Sequence, residues 1–189
     1  DPRTYSAAEL AAITAFNSNG GTVILAGWSD NYENYDVIQS NSAIKHMAAT
    51  QNEVLQALGS SLRISDDATY DDVRSAADGV DKWRLYFNTY GQSFLTDGVE
   101  VDPAHPYDRL YTEVFSHYGG ASVYAVDADD KPTSTLPATV SPVVYTHSTT
   151  YSVDVDKNGL GGANVPKYAY AENDSHLLAM ASEQLEGKN

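Results

Sequence analysis

Apolar positions recur at helical spacing near the start of the chain. In residues 6–16, SAAELAAITAF, Leu10, Ile13 and Phe16 fall on one side of a helix. Ser6 takes the N-cap place, and Glu9 three residues on closes a capping box. Gly20-Gly21 then stop the helix and turn the chain. Val23-Ile24-Leu25-Ala26 is apolar without alternation, the pattern of a strand buried on both faces of a parallel sheet. A polar Tyr/Asn-rich loop fills 31–40. A second helical pattern over 42–59 carries Ile44, Met47, Val54, Leu55 and Leu58, with Gly59 as its stop.

Further on, short periods of two take over. Residues 61–64, SLRI, predict a strand, and the acidic run at 65–79 predicts turns. Residues 84–90, RLYFNTY, alternate like an extended segment. The pattern over 110–117 predicts a short helix, followed by a turn at Gly119-Gly120 and a strand at 121–126. Pro, Asp and Thr cluster as turns over 127–141. Tyr151, Val153 and Val155 alternate in a β-rich stretch. A Gly-rich loop, a strand at 167–172 and a terminal helix at 175–187 complete the pattern. Helix and strand alternate in the first half, which predicts an α/β sheet carrying a β-rich C-terminal addition. The division is 1–130 for the α/β core and 131–189 for the β-rich extension and terminal helix, packed on the same domain.

Charge changes the picture most. Among 189 residues, 26 Asp+Glu face 11 Lys+Arg, a net charge of −15. The acid is spread along the chain and is mostly Asp. Such a surface repels phosphate backbones and anionic lipids, which argues against nucleic-acid binding. No apolar run approaches the roughly 20 residues of a membrane span, so membrane insertion is not expected. Spread acid with little Lys suits strong salt: at ~1 M the Debye length is about 3 Å, and the carboxylates scarcely repel one another. An ordinary acidic secreted domain is the alternative. The absence of Cys excludes disulfides, Cys-ligated zinc and thiol nucleophiles. Asp1-Pro2-Arg3-Thr4 reads as a start within a longer protein.

The order of YSAAELAAITAFNSNGGTVILAGWSD, NEVLQALGSSLRISDDATYDD and YFNTY resembles class I glutamine amidotransferase-like domains, the ThuA-like group included, of the kind found in secreted haloarchaeal proteins. The resemblance spans 4–90 and is loose beyond. It implies a flavodoxin-like three-layer sandwich with a mainly parallel sheet, incomplete here at both ends. It also implies a Cys on the turn after the apolar strand, at Leu25-Ala26-Gly27-Trp28, where this chain has none.

Ser29 is the substitute nucleophile that the turn offers. Gly27 stands two residues before it, but Asn31 replaces the second Gly of a nucleophile elbow. His46, His105, His117, His147 and His176 are its candidate partners, and Ser29-Asp30 also has the chemistry of a helix cap. Asp154, Asp156 and Asn158, followed by Gly159, match the first half of a calcium loop, in which oxygens two residues apart converge on one ion. The twelfth position is Val165 rather than a bidentate Glu, and a hairpin turn explains the same residues. Asp66, Asp67, Asp71 and Asp72 form an acidic run able to bind a metal or simply to face solvent. His105 lies in a Pro-flanked loop, and paired Tyr residues suit either contact surfaces or half-buried strands.

These observations favour a non-catalytic interaction or assembly domain of a secreted or cell-surface protein adapted to high salt. Its partner would be another protein or a second copy, with no cofactor other than calcium. One alternative is a hydrolase or hydrolase accessory domain (nuclease, phosphoesterase or protease). A calcium-stabilised binding module is the second.

Overall fold

The computed structural model describes residues 4–30, 47–76, 81–105 and 113–185. Two α-helices occur among them, α1 (Ala7–Ser18) and α2 (Met47–Leu58). Thirteen short strands follow: β1 (Leu62–Ile64), β2 (Ala68–Tyr70), β3 (Ser75–Ala76), β4 (Asp81–Phe87), β5 (Thr89–Tyr90), β6 (Phe115–Tyr118), β7 (Val123–Val126), β8 (Pro132–Thr133), β9 (Val140–Tyr145), β10 (Tyr151–Val153), β11 (Tyr168–Ala171), β12 (Asp174–His176) and β13 (Leu178–Glu183).

Every strand pairing among the described residues is antiparallel. The main sheet runs β1-β7-β13-β9-β5, with β8 also on β7. Smaller sheets are β3-β4-β6, β10-β2 and the β11-β12 hairpin. The expected flavodoxin-like, mainly parallel α/β sandwich is therefore wrong. Parallel strands need helical crossovers between them, and after α2 the described chain contains no further α-helix.

Burial is divided among three small clusters. Leu85 and Phe87 of β4 meet Val143 and Val144 of β9, with Phe115 and Met180 beside them. Ala125, Tyr145, Tyr168 and Leu178 form a second group. Ala48 of α2, Ile64 of β1 and Ala121 form a third, joined by Leu25 and Leu55. Each fully buried large side chain contributes roughly 1.5–3 kcal/mol. Tyr168 also uses its hydroxyl, accepting from the Ala125 N–H and donating to the Thr133 carbonyl across β7 and β8.

Local chemistry explains several elements. α1 begins at the expected capping box, with the Ser6 side chain and the Glu9 side chain each capping the other's backbone N–H. Gly59 ends α2 at φ 73°, a left-handed conformation that favours glycine. Strands appear near 61–64, 84–90, 121–126, 151–153 and 167–172, where the sequence predicts extended chain.

Other expectations fail as well, and the run at 65–79 expected as turns carries β2 and β3. The predicted stripe on α1 is only half-buried at Leu10 and Ile13, and Phe16 is 58% exposed. The helix expected at 110–117 is strand β6 where it is described, and 110–112 lie outside the described residues. The terminal helix is instead β12 and β13. Leu, Ala, Met and Glu favour helix, yet 178–183 pair with β9 and fill the centre of the main sheet. Finally, residues 23–26 join no sheet. From 21 to 28 burial alternates strictly, with Val23 and Leu25 half-buried and Ile24 83% exposed. The segment has the shape of a strand facing the body on one side only. Among the described residues, no backbone group from 22 to 26 pairs with another backbone group. Ala26 accepts instead from the Gln51 side chain, and the first bridge is Trp28 with Gly120.

Candidate functional site

The extended segment delivers Asp30 to a junction of three loops. Ser29 N–H donates to the Gly119 carbonyl at 3.0 Å, and Asp30 N–H to the Asp67 carbonyl at 3.0 Å. Asp30 is 1% exposed. Its Oδ2 accepts from the N–H groups of Val155 (2.5 Å) and Asp156 (3.0 Å), just past β10. Its Oδ1 has no hydrogen-bond partner. Burial pushes this carboxyl up from 3.8 to about 6, and the negative charges of Asp156 and Asp66 add to the shift, against the two N–H donors.

Asp154, Asp156 and Asp30 each bring a carboxylate oxygen to within 4.8 Å of the others. The calcium-loop reading thus places two of its three residues together and adds one from far upstream. Asn158 serves the turn instead. Its Oδ1 accepts from Leu160 N–H, and its Nδ2 donates to Asp66 and Asp156. Its N–H, like that of Gly159, caps the Asp154 carboxylate. Lys157 (φ 62°) and Gly159 (φ 86°) make the tight reversal. Val165, at the twelfth position, is buried, and its side chain has no ligand oxygen. A Cβ on Gly161 would fall onto the Asp66 carbonyl, so only glycine lets this loop press against residues 66–67.

The acidic run 66–72 does not act as one cluster. Asp67 is fully buried and accepts from Ser122 N–H (2.8 Å), Ser122 Oγ (2.6 Å) and Ser152 Oγ (2.5 Å). Burial pushes its pKa up, and the serine donors oppose that shift. Asp71 accepts from Val73 and Arg74 N–H and from the Thr149 and Thr150 hydroxyls. Burial pushes Asp71 up, but those donors outweigh it and hold the carboxyl below the usual range. Asp72 accepts from Tyr151, whose hydroxyl is pushed up to about 12 by burial and by that carboxylate.

Ser29 is 1% exposed, and its Oγ has no partner. The described histidines are engaged elsewhere: His117 with Thr69, His147 with the Tyr86 carbonyl, His176 with the Thr146 carbonyl and His105 with Asp102. His46 lies outside the described residues. A nucleophile needs a base within hydrogen-bond reach, and among the described residues Ser29 Oγ has no such partner.

A second feature lies at the other end of the extended segment. Tyr5, Ala12, Ile13, Phe16, Val23, Leu25 and Val54 line an open apolar groove of about 400 Å³ beside α1. Among the described residues, no helix is long and apolar enough to cross a membrane. Compared with known proteins, the chain matches no family model, no curated protein and no solved structure.

Proposed function

We propose that this chain is a non-catalytic interaction domain of a secreted or cell-surface protein working in strong salt, and that it self-associates along residues 22–26. One observation carries this reading. The segment alternates like a strand, exposes Ile24 and leaves its backbone from 22 to 26 without backbone partners among the described residues. An unpaired, apolar, extended edge is a template for another strand. A second copy offers the same edge, and two such segments running antiparallel satisfy each other about a twofold axis. The groove between α1 and this segment would bury further apolar surface beside the new pair.

Charge supports the salt dependence. Two copies at −15 each repel in dilute buffer, and salt screens that repulsion. Sedimentation velocity over a dilution series, in low and in ~2 M KCl, tests the reading. Association should strengthen with salt and weaken at least tenfold in Ile24→Asp, whose exposed site leaves the core intact. A strict monomer at every concentration and salt, or an Ile24→Asp variant that associates like the parent, would overturn it.

A further inference from the structure

We infer that Asp30, Asp154 and Asp156 form a binding site for a hard divalent cation of the calcium type. This goes beyond the interaction reading and does not depend on it. Two independent observations meet here. The first is convergence: three carboxylates from two distant parts of the chain bring oxygens within 4.8 Å of one another. Calcium takes oxygen ligands at ~2.4 Å in a flexible shell, so ligands on opposite sides of one ion stand about 4.8 Å apart. The second is an unmet need. Asp30 is 1% exposed, and its Oδ1 accepts no hydrogen bond. A buried carboxylate oxygen without a donor is costly, and a bound cation removes that cost.

The surroundings agree. None of the ion pairs among the described residues involves Asp30, Asp154 or Asp156. Backbone N–H groups already fix their orientation: Val155 and Asp156 hold Asp30, while Asn158 and Gly159 hold Asp154. The ligands are therefore set in place by the turn rather than gathered by the ion. Oxygen donors without sulfur or imidazole select calcium or magnesium over zinc or copper. An irregular set on a loop suits calcium better than the strict octahedron of magnesium.

Calorimetric titration with CaCl₂ in 1 M KCl tests the site, alongside melting with CaCl₂ or chelator at constant ionic strength. Saturable binding should raise Tm by about 5 °C or more at a hundredfold excess over Kd. Asp30→Asn keeps an acceptor for the Val155 and Asp156 N–H groups, and should bind at least tenfold more weakly while melting no lower than the parent in chelator. That second readout separates a lost ligand from a lost fold. Asp156→Asn, at an exposed position, should weaken binding as well, and it decides the question if Asp30→Asn does not fold. Asp129→Asn, at the surface beside Lys131, should bind like the parent. No saturable binding at millimolar calcium, or unchanged affinity in both Asp30→Asn and Asp156→Asn, would overturn the site.

Discussion

Two groups of buried acid lie side by side in this fold. Asp67 and Asp71 are surrounded by donors: serine hydroxyls and a backbone N–H for one, threonine hydroxyls and two N–H groups for the other. Asp30 is as deeply buried, yet keeps one oxygen without a partner and faces two further carboxylates. Burial alone does not distinguish them. The number of donors does: where the chain supplies every hydrogen bond, the acid is a hub of the fold, and where it withholds them, the acid is left for something from outside.

The hub should show the largest effect. Asp67→Ala strands the Ser122 N–H and two serine hydroxyls in the interior, and should cost about 3–5 kcal/mol in urea unfolding. A loss below about 1 kcal/mol would break the contrast.

His117 sharpens the same comparison from the basic side. It is buried beside Thr69, and burial pushes it from 6.5 down to about 4. The folded form resists the proton that the unfolded chain accepts. Its stability contribution is thus intact above pH 6.5 and is lost as pH falls towards 4, by about 3 kcal/mol. His117→Gln should flatten that part of the stability profile. An unchanged slope would show that burial does not govern this group.

The smallest effect belongs to Asp30. Without cation, Asp30→Asn removes a desolvated charge and keeps the acceptor for two N–H groups, so unfolding free energy should rise by up to about 1 kcal/mol. A fall of more than about 1 kcal/mol would place Asp30 with the hubs.

The sequence makes local features legible. Ser6 and Glu9 spell the capping box, Gly59 spells the end of α2, and alternation spells β4 and β10. It misleads where distant pairing decides. The composition of 178–183 favours helix, but β9 supplies the ladder that overrides it. The apolar run at 23–26 reads as a central strand because composition cannot show whether a neighbour arrives. The site was half legible. Asp-x-Asp-x-Asn-Gly marks the loop, and the turn after the apolar run stands out for Ser29 rather than for Asp30 beside it. Only the crossing of residues 28–30 over the Gly119-Gly120 turn brings the third carboxylate in.

Strand β13 is the last in chain order among the described strands, yet it stands between β7 and β9. Glu183 at its end holds Ser60, Ser61 and Thr139, which are distant in sequence. During synthesis, β7 and β9 therefore emerge with a gap between them that β13 closes later. Contacts of such long sequence separation form slowly, and the waiting edges are open to wrong partners. A ribosome stalled before Leu178 would hold β7 and β9 without the strand that joins them.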